Sequence, residues 1–286
     1  MSTRPQQPGK KSAKYHRARL RHFLFTSGPH RLTGGRLTRR HIARPVAIRE
    51  IEIVNPRWPA ALDGLRIAHV SDFHLGDLLP LERGIEIVSL LADQSPDLVA
   101  CTGDVVDLHA AGAEPLLKAL AETGAPMGSL LVLGNHDELD DERVVVRMAE
   151  KAGMTVLRNR SIELSRRGAR LSVGGIDWAR SQKACAAHVE RLGAGRDLLL
   201  AHNPRAFQQA SKMGIPLTLS GHTHGGQIAI KNRPNANLAF TQKRRAGLFE
   251  ENGSHLYVTT GVGAWFPLRV NCPPEIAMIT MRCAAA

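Results

Sequence analysis

Apolar residues run along this chain in two rhythms. Val46, Ile48, Ile51 and Ile53 stand among polar neighbours in a way that predicts a strand over 46–54. Short apolar runs at 65–70, 97–102, 129–133, 197–200 and 215–219 predict buried strands. Elsewhere the spacing lengthens: Leu81, Ile85, Val88, Leu91 and Ala92 recur at helical intervals. Helices are predicted over 80–92, 115–123, 138–152, 182–192 and 205–213, the third closing on Gly153. Brief strands at 155–157, 162–164, 171–174, 256–260, 268–270 and 276–281 complete an α/β pattern that becomes α+β toward the end, with no internal repeat.

One event recurs five times. An apolar strand stops, and metal-competent side chains follow: Asp72 and His74, then Asp104, then Asn135 and His136, then His202, then His222 and His224. In layered α/β folds the carboxyl ends of strands border the ligand cleft, so these five tips are expected to converge. The last tip, Ser220-Gly221-His222-Thr223-His224-Gly225-Gly226-Gln227, carries glycines that let two nearby imidazoles diverge.

Asp72, His74, Asp104, Asn135, His202, His222 and His224 offer more donors than one tetrahedral ion takes. They suit two divalent ions about 3.5–4 Å apart. Nitrogen and oxygen donors without thiolate favour Mn, Fe or Zn, with Co similar and Mg less suited. Asp104 is the natural bridge. His136, pointing away from Asn135, is expected to face the substrate, with Asp137 accepting its ring N–H. It could then protonate a leaving oxygen. Asn203 could touch phosphate or cap the following helix, and Arg269 could grip phosphate with paired donors or lie on the surface. Gly261 and Gly263 could frame the substrate mouth, and Trp265-Phe266 is expected in the core.

Composition changes the picture mainly at one end. The net charge is +12 over 286 residues, but residues 1–49 hold 13 Lys or Arg and no acid, while the remainder holds 25 basic and 26 acidic groups. The organisation expected is a basic, disordered arm over 1–44 and a single near-neutral domain over 45–286. Leu20-Arg21-His22-Phe23-Leu24-Phe25 mixes bulky apolar groups with cations, so the arm could lie on an anionic membrane, touch nucleic acid, or stay solvated. Cys101, Cys185, Cys272 and Cys283 form no C-x-x-C pair, which fits a reducing compartment. No apolar run is long enough to span a bilayer, and no apolar stretch follows Arg39-Arg40. The expected location is the cytoplasm, with peripheral contact at the inner membrane face.

Asp72-x-His74, Gly103-Asp104, Gly134-Asn135-His136-Asp137, His202 and Gly221-His222-Thr223-His224 together resemble, in order and type, the motif set of the calcineurin-like metallophosphoesterases. The Gly221–Gln227 stretch and the late Arg269 with Pro274-Glu275-Ile276 resemble a bacterial YkuE/YaeI-like phosphodiesterase subgroup. The resemblance implies a two-sheet β-sandwich flanked by helices. It also implies one ion on Asp72, His74, Asp104 and His224, a second on Asp104, Asn135, His202 and His222, and His136 as the catalytic non-ligand. The activity expected is phosphoester hydrolysis, by a phosphodiesterase or pyrophosphatase in which metal-bridged hydroxide attacks phosphorus while His136 assists the leaving group. A UDP-2,3-diacylglucosamine pyrophosphatase, a nuclease recruited by the basic arm and a metal-poor binding scaffold are the alternatives. The partner expected is a small-molecule or lipid-linked phosphoester, with nucleic acid less favoured.

Overall fold

A computed structural model describes residues 13–231, 233–239 and 242–284. Two six-stranded sheets pack face to face. The first runs β1 (Ala47–Asn55), β14 (Glu275–Cys283), β2 (Leu65–Val70), β3 (Leu98–Cys101), β4 (Ser129–Leu131), β5 (Thr155–Val156). The second runs β12 (Gly247–Glu251), β13 (Ser254–Val258), β9 (Leu217–Ser220), β8 (Leu198–Leu200), β7 (Ala169–Gly175), β6 (Arg160–Arg166). A ribbon of β10 (Ala229–Ile230) and β11 (Arg233–Asn237) stands apart.

The short apolar runs are strands buried on both faces, so they show no polar alternation. On β2, Leu65 and Ile67 face the second sheet, while Ala68 and Val70 turn to the helices. On β8, Leu198 and Leu200 face inward and Leu199 faces out. Helices α4 (Leu81–Ala92), α5 (Glu114–Ala121) and α6 (Glu142–Ala152) cover the first sheet. Helices α7 (Gln182–Leu192) and α8 (Phe207–Lys212) cover the second. Helix α6 starts four residues later than the spacing predicts because Asp141 caps it, accepting from the Arg143 N–H at 3.0 Å. Gly153 closes it in the left-handed conformation, as expected.

Strands β2, β3 and β4 are parallel to one another, as are β7, β8, β9 and β13. Their carboxyl ends therefore lie at common edges, and the five motif loops leave from there. The predicted strand at 268–270 contributes only a bridge from Val270 to Ile228.

The basic N-terminal segment is folded where it is described, in contrast to the disordered arm expected. Residues 13–42 form α1 (Ala13–His22), a π-helical turn (Phe23–Ser27), α2 (Gly28–Leu32) and α3 (Arg36–Ile42). Tyr15 and Ala18 bury against Leu139, and Lys14 pairs with Glu138 at 3.0 Å. Docking supplies the apolar partner that the segment lacks by itself. Residues 1–12 of the arm lie outside the described residues. Among the described residues, no helix is long and apolar enough to cross a membrane.

Candidate metal centre

The strand-end loops carry a cluster of unusual backbone. Asp72, His74, Asp104, His222 and His224 all hold positive φ, between 48° and 72°. Residues other than glycine seldom adopt this region, and such strain gathers at functional loops. Two glycines permit the close approach. A Cβ on Gly134 would overlap the Asp104 carboxylate, and one on Gly221 would overlap that of Asp72.

Donor atoms of Asp72, His74 and His224 lie within 4.8 Å of one another, as do those of Asp104, His202 and His222. One oxygen links the groups: Asp104 Oδ2 is 3.6 Å from His74 Nε2 and 3.3 Å from His202 Nε2. His224 Nε2 stands 3.2 Å from Asp72 Oδ1 and 3.0 Å from His74 Nε2. The backbone fixes these groups from behind. Nδ1–H of His202 donates to the Thr102 carbonyl at 2.7 Å, which turns Nε2 inward. The His222 N–H donates to the Asp72 carboxylate at 3.0 Å, and the His136 N–H to Asp104 Oδ1 at 2.7 Å. Asn135, between Gly134 and His136, keeps a buried Oδ1 with no hydrogen-bond partner, and Nε2 of His202 has none either. Buried polar atoms are rarely left so. Orphaned donors aimed by second partners, with nitrogen and oxygen but no sulfur, fit divalent metal ions.

Electrostatics agree. Burial opposes charge on His74, yet Asp107, Asp72 and Asp104 outweigh it and push its pKa up to about 10. Burial likewise opposes charge on His202, and Asp104 and Asp72 prevail, raising it to about 9. Burial would raise Asp72 and Asp104, but neighbouring imidazoles hold both below the usual carboxylate range. His222, desolvated and facing His202, falls to about 3. The pocket holds carboxylates that call for compensating positive charge.

Several sequence expectations are corrected. Asp137 does not touch the His136 ring. Its carboxylate accepts four backbone N–H groups, from Asp104, Val105, Val106 and Gly134, and so clamps the two loops. Burial and the Asp104 carboxylate push its own pKa up to about 7. Asp107 takes the role instead: His136 Nδ1 donates to its carbonyl at 2.8 Å, with its carboxylate 3.1 Å away. Asn203 is buried, accepts the Arg205 N–H and donates to the Ala179 carbonyl, so it caps the following turn, the other role expected of it, rather than gripping phosphate. Arg269 is fully buried, and its guanidinium donates to the carbonyls of Thr260, Gly261, Gly263 and Cys272. It braces the loop behind His224 rather than facing substrate. Gly261 and Gly263 pack under Asp72 and Phe73, not at a mouth. Trp265 and Phe266 are half-buried and line a cavity beside His222.

Sequence reasoning missed three residues here. Asp107 had a signal, an acid three residues beyond Asp104 in Gly103-Asp104-Val105-Val106-Asp107. Trp178, just beyond β7, packs against His222 with ring centroids 4.6 Å apart and planes tilted by 50°. Arg21 reaches from α1 to donate to His136 Nε2 at 2.7 Å.

Residues 65–226 match the family model described as Calcineurin-like phosphoesterase. The chain belongs to this family and is a phosphoester hydrolase, which implies divalent metal ions. Its relatives include the uncharacterized metallophosphoesterase YkuE of Bacillus subtilis, 32% identical over 235 residues, or 78% of this chain and 81% of the relative. Phosphodiesterase YaeI of Escherichia coli is 30% identical over 226 residues, covering 76% of this chain and 82% of YaeI. The solved structure of TT1561 from Thermus thermophilus aligns with a TM-score of 0.48 at 15% identity, over 71% of this chain and 90% of that one.

Proposed function

We propose that this hydrolase is a dinuclear phosphodiesterase or pyrophosphatase acting on small-molecule phosphoesters. Asp72, His74, Asp104 and His224 would hold one ion, and Asp104, Asn135, His202 and His222 the other, with Mn, Fe or Zn as the metal. The reading rests on Asp104 Oδ2, which lies within 3.6 Å of both His74 Nε2 and His202 Nε2 and so stands between a member of each donor group. When bound, such ions neutralise charge on phosphoryl oxygens and make a water acidic enough to attack phosphorus.

The chain's own residues do the rest. His136 presents Nε2 toward the mouth, and from there, once protonated, it can deliver a proton to the leaving oxygen. Asp107 fixes the ring through Nδ1. Trp178 covers His222 and shields that side. No serine or cysteine nucleophile is required. The name of the E. coli relative supports a diester as substrate. Exposed Leu20, Phe23, Leu24 and Leu32 beside exposed Arg17, Arg19 and Arg31 suit an anionic lipid surface, which vesicle sedimentation with and without residues 1–44 would test.

The experiment for the chemistry is a substrate panel of bis-p-nitrophenyl phosphate, p-nitrophenyl phosphate and a lipid-linked pyrophosphate with Mn, Zn and Mg. Wild type should cleave the first or third in preference to the second, and Asp104→Asn should cleave none. Preferred cleavage of the monoester would reject the reading.

A further inference from the structure

The proposed centre opens onto a cavity of about 590 Å³, lined by His222 and Thr223 at one end. That volume falls in the range of small-ligand sites. Much of its wall is apolar: Phe25, Ile228, Leu238, Trp265 and Phe266. Phe25 and Trp265 meet edge to face at 5.6 Å, and Thr26 donates to the Trp265 carbonyl at 3.3 Å. Arg21 also lines this cavity. Its guanidinium lies over the Trp265 ring at 5.7 Å and donates to His136 Nε2 at 2.7 Å. One cation thus stands where the imidazole, the donor groups and the apolar wall meet. The segment that brings it lies outside the family match at 65–226.

We propose that the N-terminal helical segment completes the substrate site and selects phosphodiesters bearing an apolar arm. The apolar arm lies between Phe25 and Trp265. Arg21 meets a non-bridging phosphoryl oxygen, exchanging its contact with His136 for one to the substrate, which leaves His136 Nε2 free for the leaving oxygen. A guanidinium offers several donors in a fork that matches phosphate. This deepens, and rests on, the phosphodiesterase reading above. Arg21 and Phe25 are exposed, so truncating them removes site groups without opening the core.

The test compares octyl and methyl p-nitrophenyl phosphate diesters, below micellar concentration, with Mn-loaded enzyme. Wild type is expected to show a kcat/KM at least about tenfold higher for the octyl diester, since each buried methylene adds to binding. Phe25→Ala and Trp265→Ala should abolish that advantage. Arg21→Ala should raise KM for both diesters, with Arg21→Lys recovering part of the loss. Calorimetry with octyl methylphosphonate, whose poor alkoxide leaving group makes its hydrolysis slow, reads the cavity apart from turnover: wild type should bind it more tightly than the methyl analogue, and Phe25→Ala should not. An octyl preference that is absent, or unchanged in Phe25→Ala, overturns the proposal. Turnover of neither diester, with octyl methylphosphonate still bound through Phe25, would instead overturn the phosphodiesterase reading alone.

Discussion

Nδ1 of His136 lies 2.8 Å from the carbonyl oxygen of Asp107 and 3.1 Å from its carboxylate. The same carboxylate stands 3.5 Å from Nδ1 of His74. The Asp107 carbonyl thus fixes the His136 ring from behind, as partners that set tautomer and aim do, and its carboxylate stands beside both that ring and the expected ligand His74. Asp107→Asn should lower kcat by about 10–100-fold, with KM little changed. Steady-state kinetics at saturating Mn, with the metal content measured alongside, would check it; an unchanged kcat would remove the Asp107 carboxylate from the mechanism.

Asp137 predicts a different phenotype. Its carboxylate satisfies four buried backbone N–H groups. Each such group left unpaired costs about 1–3 kcal/mol. Asp137→Ala should therefore lower unfolding free energy by at least about 3 kcal/mol, read from urea melts. A variant that melts like wild type while losing kcat would restore the catalytic role first expected of Asp137.

The contrast between these aspartates shows what the sequence could and could not convey. The strand-end placement of the seven expected ligands was legible because each follows an apolar run, and a short run buried on both faces reads as a core strand whose end reaches the cleft. The distribution of Leu65, Ile67, Ala68 and Val70 over both faces of β2 bears out that reading. Side-chain partners were not legible. Asp137 adjoins His136 in sequence, but the loop turns its carboxylate to the backbone of 104–106, and Asp107 arrives from the neighbouring strand end. Arg269 reads as a surface cation until the carbonyls of 260–272 close around it. Arg21 was hidden in a charge run whose folding depends on contacts such as Tyr15 against Leu139.

Acid should weaken the fold through His69. It is fully buried, with Nε2 2.9 Å from the Thr102 hydroxyl. Burial pulls its pKa down to about 3, against an opposing pull from the Asp72 carboxylate. The unfolded chain, with a pKa near 6.5, takes up a proton that the folded chain refuses. The stability that neutral His69 lends is complete above 6.5 and is lost as pH falls toward 3. The slope is at most about 1.4 kcal/mol per pH unit. Relative to wild type, His69→Gln should gain stability by up to that amount per unit between pH 6.5 and 5. Urea melts in that window would show it, and parallel curves for the two proteins would contradict it.

The central claim is that Asp104 joins two cation sites. Metal content per chain, measured by mass spectrometry after Mn loading and removal of free metal, tests it most directly. About two ions in wild type, and a loss of bound metal in Asp104→Asn at equal folded fraction, is the predicted result. One ion or fewer in wild type, or two retained in Asp104→Asn, would contradict it.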